Sequence, residues 1–570
     1  MSAMIVFTAT SSKRQKLDFM GCCCSRTTRP LTHCSKPIAS STALVSDPPF
    51  DSYPVPCELF VIRIKKISTQ NKIYWYGTKD YDYWEKRGVP HEKPLPFFGN
   101  AFRVFTQKVS PSQGGVEIYR KYPNERFFGS FFGTMKVLTI LDPELIKTIL
   151  VTDFVYFHKR GLNPHETVIE PMLKNLFFAD GDLWRLLRQR MTPAFTTGKL
   201  KAMFPLIVER AVKVQDFADN AAKSGTAVDV RDLMARYTTD FIGACGFGIN
   251  IDSLEDDESN FRKLGKRIFN FTYRDAFVLM LKEVFPNTFK NLNFLVSEIE
   301  TTTMHLVQTV MKQRNYKPSS RNDVIDLLLA LKEKGNLVGD SIDKFKPDGT
   351  PIQTEIELDD ALMAAQVFVF FAAGFETSSS ATSYTLHQLA FHPLEQKKVQ
   401  DEIDEVLSIY NNKLCYDAIK EMKYLEMAFL ESMRLFPSLG YLIRKCAKRY
   451  TIPGTNVTID KGVTITIPVQ ALHMDEKYFE DPEKFIPERF SRDRIKDIKK
   501  YVYMPFGEGP RACIGERLGL MQSLAGLAAL LYKFSVEPAP SSLKHPVSDP
   551  TSIITQNIKG GLPLYIKARA

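Results

Sequence analysis

The longest apolar stretch of the chain runs from Ala361 to Phe375, broken only by Gln366 and followed at once by Glu376 and Thr377. It falls short of the roughly 20 unbroken apolar residues that a membrane span needs, so it predicts a buried core helix. That helix is expected over residues 355–392, opened by acids and ended near His392-Pro393. Before it, residues 114–340 carry mostly the helical period, with short strands such as Lys136 to Leu141. After it, residues 395–436 predict two helices, the second stopping at Pro437. Residues 441–470 alternate around Thr458, Ile459, Val463, Ile465 and Ile467, which predicts strands. A loop-rich stretch then leads to Cys513, with a helix from there to about Lys533. Pro90, Pro94 and Pro96, closed by Gly99, predict an extended elbow, because proline fixes φ and biases its predecessor away from helix. No internal repeat is present. The expected fold class is mainly α with a small β part.

Composition narrows this picture at the N-terminus. Residues 1–50 hold two acids, Asp18 and Asp47, against six bases and are rich in Ser and Thr. Residues 1–72 are therefore expected to be a divergent, disordered segment, with residues 73–570 forming the catalytic domain. A transit-type peptide shares that composition. Met20-Gly21-Cys22-Cys23-Cys24-Ser25 matches an acylation pattern if translation starts at Met20, whereas Cys22, Cys23, Cys24, His33 and Cys34 lack the usual spacing of zinc ligands. Lys and Arg total 75 and Asp and Glu 65, a net +10 that suits an acidic partner or an anionic membrane surface. No nucleic-acid-binding signature accompanies it. Single distant thiols at Cys245, Cys415, Cys446 and Cys513 indicate a reducing compartment rather than a disulfide framework.

The strongest chemical signal is Pro505-Phe506-Gly507-Glu508-Gly509-Pro510-Arg511-Ala512-Cys513-Ile514-Gly515. Glycines and a proline precede the cysteine and a helix follows it. Amides at a helix start carry partial positive charge, so a sulfur there is expected to favour the thiolate form, a metal ligand. Gly509 permits a tight turn, and Gly515 removes a side chain where a flat cofactor can approach. An inert buried cysteine is the alternative for a lone Cys, but the full pattern Phe506, Gly509, Arg511, Cys513 and Gly515, fixed across ten positions, disfavours it.

This segment resembles the haem-binding loop of the cytochrome P450 superfamily, and three further motifs share the family's order. Ala373-Gly374-Phe375-Glu376-Thr377 lies in the long helix. The resemblance implies that Thr377 and Glu376 deliver protons to iron-bound oxygen, with Gly374 leaving room for a small ligand. Taken alone, the pair also fits a Thr bonded to the carbonyl four residues back beside a solvated Glu. Glu431 and Arg434 share a helix face and match the ExxR pair, with Arg489 as its third, structural member. Trp184 and Arg188 match the pattern that holds a haem propionate. Arg444 and Arg511 align with further propionate arginines, and Arg160 is another candidate. Haem is thus the implied cofactor, with Cys513 as its iron ligand, Phe506 and Gly515 against it, and the fold placing it between the long central helix and the cysteine-bearing helix.

The likeness runs from about Trp75 to the C-terminus and is most similar to the insect family-6 branch of the microsomal proteins. Lys86-Arg87-Gly88-Val89-Pro90, Phe157-His158-Lys159-Arg160-Gly161 and Met191-Thr192-Pro193-Ala194-Phe195-Thr196 carry it. It implies a monooxygenase inserting one atom of O2 into lipophilic substrates, with plant toxins and insecticides expected first and endogenous lipids or hormones as the alternative. Electrons would come from NADPH through NADPH-cytochrome P450 reductase, with cytochrome b5 as a second partner. The reductase would dock among Arg185, Arg190, Lys199, Lys201, Arg492, Arg494, Lys496, Lys499 and Lys500. Localisation is expected at the cytosolic face of the endoplasmic reticulum membrane, with the mitochondrion as the alternative; the usual apolar anchor is replaced by residues 1–72. A reductase-independent haem-thiolate isomerase or dehydratase is a rival, although such relatives usually lose the acid–Thr pair. Phe370, Phe371 and Ala373 are expected to line the substrate pocket, and residues 269–289 to roof it.

Overall fold

A 32-residue helix from Asp360 to Phe391 forms the axis around which the rest is assembled in the computed structural model. The structure describes residues 74–569 apart from 164, 250–252, 255–259, 270–271 and 322. The readings made of residues 1–72, including those of Cys22, Cys23, Cys24, His33 and Cys34, lie outside the described residues.

In chain order the elements that build the site are as follows. Strands β1 (Phe127–Phe132) and β2 (Met135–Ile140) precede helices α1 (Gly181–Met191), α2 (Thr197–Ser224), α3 (Val230–Ile242) and α4 (Tyr273–Val284). A hairpin of β3 (Leu337–Phe345) and β4 (Pro351–Ile356) leads into the long helix, α5 (Asp360–Phe391). Helices α6 (Pro393–Ile409), α7 (Tyr416–Glu421) and α8 (Lys423–Leu435) come next, then strands β5 (Leu442–Lys445) and β6 (Thr464–Ile467). Helix α9 (Glu516–Lys533) and strands β7 (Phe534–Pro538) and β8 (Pro563–Ala568) complete the set.

Helix α5 begins at Asp360 because the Asp359 carboxylate caps it, accepting from the Leu362 amide at 2.7 Å. It starts five residues later than the sequence reading, since 351–356 pair with 337–345 instead, Leu337 opposite Ile356. The missed signal is Asp348-Gly349, a hairpin turn with Gly349 at φ 83°. The C-terminal half of α5 buries hydroxyls on nearly every side. Several are satisfied inside the helix, Thr382 donating to the Ser378 carbonyl at 2.7 Å and Thr385 to that of Ala381 at 2.9 Å, while Ser380 and Tyr384 donate to the Gln556 carbonyl at 3.3 and 2.9 Å. Although α5 is long and apolar enough to cross a membrane, most of it is buried among α3, α8 and α9. Residues 395–436 form three helices rather than two, because Cys415 caps the extra turn α7.

The larger sheet has the order β1-β2-β6-β5, with β2 and β6 parallel and the other pairs antiparallel. Arg444 stands opposite Ile465 in this sheet, and the strand's alternation turns its side chain inward. A three-stranded sheet joins β7 and β8 to Val228–Asp229. The expected class, mainly α with a small β part, is the observed one.

Candidate functional site

Between α5 and the start of α9 lies a cavity of about 980 Å³, at the upper end of the range for small-molecule sites. Cys513 lines it, and the accessible surface of its side chain opens into this space. The loop that presents the sulfur is built by backbone bonds: Gly507 N–H to the Met504 carbonyl at 3.0 Å, Ala512 to Gly509 at 2.9 Å and Cys513 to Phe506 at 2.9 Å. Two positive-φ glycines allow that path, Gly507 at 70° and Gly509 at 75°. At Gly509 a side chain is also sterically impossible, because a Cβ would stand 2.0 Å from the Leu150 carbonyl oxygen. A Cβ on Gly515, in contrast, would meet nothing within 4 Å, which leaves that backbone bare toward the cavity.

The electrostatics of the sulfur differ from the sequence expectation. Burial raises the Cys513 thiol above its ordinary value, and Glu516 adds to that. The Gly515 amide, Arg188 and Arg160 pull the other way without prevailing.

Five arginines line the same cavity; Arg103 pairs with Glu117, and the other four are those singled out in the sequence. Arg511 is buried, donating from Nε to the His158 carbonyl at 2.6 Å and from Nη2 to the Ala179 carbonyl and Asp180 Oδ1, both at 2.9 Å. Its guanidinium lies 4.2 Å from the Trp184 ring centre, and its Nη1 has no partner. Arg444 is equally buried, with Nη1 on the Ile443 carbonyl at 2.8 Å and Nε without a partner. Arg160 donates to the Phe177 carbonyl at 2.8 Å and lies over the Phe177 ring. Arg188 donates to the Ala512 carbonyl at 2.8 Å, tying α1 to the cysteine loop. Burial depresses these four: Arg444 to about 9, Arg160 to about 10, Arg188 below its ordinary value and Arg511 well below it. Asp180 is the acid set among them, and it also accepts from the amides of Arg160 and Gly161 at 2.7 and 2.9 Å. The sequence reading missed Asp180; the only local clue was an acid directly before a helix start.

On α5, Phe370, Ala373 and Thr377 line the cavity. Phe371 does not: it is buried in the core between Phe247 and Phe375, so the expectation that it lines the pocket is corrected. One helical position from Phe370 turns a side chain by about 100°, enough to leave the cavity face. Phe370 stacks on Phe195, a wall residue that helical periodicity on α5 could not reveal. Thr377 Oγ1 donates to the Ala373 carbonyl at 2.7 Å. Glu376 points away from the cavity into an ion pair with Arg231 of α3, and Thr555 donates to it at 3.4 Å. Gly374 lines the cavity and also lets α3 pack close, since a Cβ there would lie 2.2 Å from Ile242 Cδ1.

Away from the cavity, Glu431, Arg434 and Arg489 come together in the interior. Arg434 bridges both Glu431 oxygens at 2.8 and 2.9 Å and donates to the carbonyls of His473, Pro482 and Lys484. Arg489 Nε reaches Glu431 Oε1 at 3.3 Å. Of the basic residues expected to dock a reductase, Arg185 and Arg190 donate to carbonyls of β3, at Ser341 and Val338, and Lys201 pairs with Asp417.

The family model "Cytochrome P450" matches residues 89–564. The chain belongs to the cytochrome P450 family. Among curated relatives, "Cytochrome P450 6B2" of Helicoverpa armigera is 36% identical over 87% of this chain and 96% of its own length. "Cytochrome P450 6a2" of Drosophila melanogaster is 35% identical over 89% of this chain and 100% of its own. "Cytochrome P450 9e2" of Blattella germanica is 36% identical over 87% and 96%. This P450 is therefore a haem-thiolate monooxygenase, an oxidoreductase that takes electrons from a redox partner and acts on lipophilic substrates. Membrane association goes with the same kinship. The cavity suits haem on its own terms: it offers an accessible sulfur, bare backbone at Gly515, and buried cationic donors on Arg444 and Arg511 that lack acceptors. A flat ligand with two carboxylates answers each of these features.

Proposed function

We propose that Cys513 is the thiolate ligand of the haem iron. Trp184, Arg188, Arg444 and Arg511, with Arg160, would hold the haem carboxylates, and Phe506 and Gly515 would leave room for the ring. The observation that carries this reading is the convergence of one accessible sulfur with unsatisfied, buried guanidinium donors in a single cavity. When bound, haem supplies the iron at which O2 is activated. The chain supplies position and polarity. Phe370 and Phe195 form an apolar wall that orders a lipophilic substrate and excludes water. Thr377 gives its own proton to the Ala373 carbonyl, so toward the cavity its Oγ1 is an acceptor that can hold a protic donor in place. Glu376 stands behind the helix, paired with Arg231, and can take part in proton transfer only through that buried cluster. Glu431, Arg434 and Arg489 fix the segment between His473 and Arg489 through backbone carbonyls, and His473 Nε2 accepts from the Met504 amide, just ahead of the cysteine loop, at 3.1 Å. That role is positional.

The substrates proposed are lipophilic foreign compounds, including plant toxins and insecticides. NADPH-cytochrome P450 reductase is the proposed electron donor and cytochrome b5 an accessory one, with the protein at the cytosolic face of the endoplasmic reticulum. Kinship to insect family-6 proteins and the apolar wall support this reading. The test is the carbon monoxide difference spectrum of the reduced protein. A Soret band at the thiolate-ligated position is expected, and its persistence in Cys513→Ala would refute the ligand assignment. Turnover without NADPH or O2 would favour an isomerase or dehydratase instead.

A further inference from the structure

Helix α4 turns Ala276, Leu279 and Glu283 toward the cavity, at spacings of three and four residues that place them on one face. The cavity wall carries six carboxylates, and five are engaged. Glu92 pairs with Lys121, Glu117 with Arg103, Glu170 with Lys282, and Asp323 and Asp326 with Arg314. Among the described residues Glu283 is the exception, with neither a hydrogen bond nor an ion pair. The two nearest cations do not satisfy it. Lys282 Nζ is held by Glu170 and the Leu292 carbonyl at 2.9 and 2.7 Å. Lys445, whose stem lies over Gly161, acts on Glu283 only at a distance. Burial consequently pushes the Glu283 carboxyl up to about 7, against the pull of Lys445 and Lys282. A partly buried acid in a mostly apolar wall without a partner is costly unless a ligand completes it.

We propose that Glu283 is a specificity-determining residue that selects, among lipophilic molecules, those bearing a cationic nitrogen, its carboxylate serving as the counter-ion. The carboxylate would be the charged contact and Leu279, Phe370 and Phe195 the apolar ones. A charge-assisted contact in a water-poor cavity is stronger than the same contact at a surface. This proposal rests on the haem-cavity reading above, since the space is shared.

The test uses the haem-loaded protein and two probes of equal shape. One is trimethyl(4-phenylbutyl)ammonium, which is permanently charged and has no lone pair to ligate iron. The other is its hydrocarbon analogue with carbon in place of nitrogen. Equilibrium dialysis reads binding without turnover. In Glu283→Gln the ammonium should bind at least tenfold more weakly, with the hydrocarbon unchanged. Glu283→Asp should keep part of the preference. Lys445→Met, which retains the stem over Gly161 and removes the competing charge, should bind the ammonium more tightly. An ammonium-to-hydrocarbon affinity ratio that is the same in wild type and Glu283→Gln would overturn the proposal. The carbon monoxide band, recorded on the same samples, reports the cysteine site separately: its absence from all of them counts against the Cys513 assignment, while the dialysis ratio still decides the role of Glu283.

Discussion

Replacing Arg444 by methionine should change stability in opposite directions in the haem-free and haem-loaded protein. In the haem-free chain the guanidinium is buried, its Nε lacks an acceptor, and its pKa falls from an ordinary 12.5 to about 9. The causes are burial first, then repulsion by Arg160, with Asp180 offsetting part. At about 1.4 kcal/mol per tenfold, keeping this charge at pH 7 costs at most about 5 kcal/mol. The sign follows from the depressed value: the cost is fully present below pH 9 and is relieved only as the group loses its proton above it. Methionine fills much of the same volume without charge, so the haem-free protein should gain about 2–4 kcal/mol. With haem bound the proposed partner is a carboxylate, and removing the cation leaves that anion under-compensated. Haem should then be held roughly 2 kcal/mol less tightly, about thirtyfold. Urea denaturation of the haem-free protein reads the first quantity, and haem transfer to excess apomyoglobin reads the second. If Arg444→Met destabilised the haem-free protein, or left haem transfer unchanged, the assignment of Arg444 to a haem carboxylate would fail.

Three further substitutions probe the frame. Glu431→Gln leaves Arg434 and Arg489 buried without a counter-charge, and should cost about 3–5 kcal/mol in urea unfolding together with most haem incorporation. Gly509→Ala should lower stability by more than about 2 kcal/mol and empty the site of haem, because φ is 75° and the new Cβ meets the Leu150 carbonyl at 2.0 Å; a normal melting temperature would contradict this. Gly374→Ala should destabilise through Ile242, and the double variant with Ile242→Ala should recover much of the loss; simple additivity would show that α3 and α5 are not coupled there.

The cysteine loop was legible in the chain because its requirements are local. Gly507 and Gly509 supply the positive φ values and Cys513 the sulfur, and no distant residue is needed to recognise them. The long helix was legible for the same reason, down to its end at His392-Pro393, because an apolar run and a proline act on their own neighbours. Its start was not, because residues 351–356 are drawn into a strand by partners at 337–345. Side-chain direction was legible only in part. Phe370 and Phe371 are chemically identical neighbours, and the packing of Phe247 and Phe195 decides which one meets the cavity. Glu376 beside Thr377 reads as one functional pair, yet Arg231 on another helix draws the acid to the far side.

The amino-acid order by itself thus determined the family, the mainly helical class and the residue types able to ligate iron, since each depends on bonds and torsions within a few residues. Only the tertiary structure decided which charged groups keep atoms without partners, Nε of Arg444 and Nη1 of Arg511 in the same cavity as the sulfur, and the Glu283 carboxylate on its wall. Burial and unmet pairing depend on every element that closes around a site, and no stretch of chain carries that information alone.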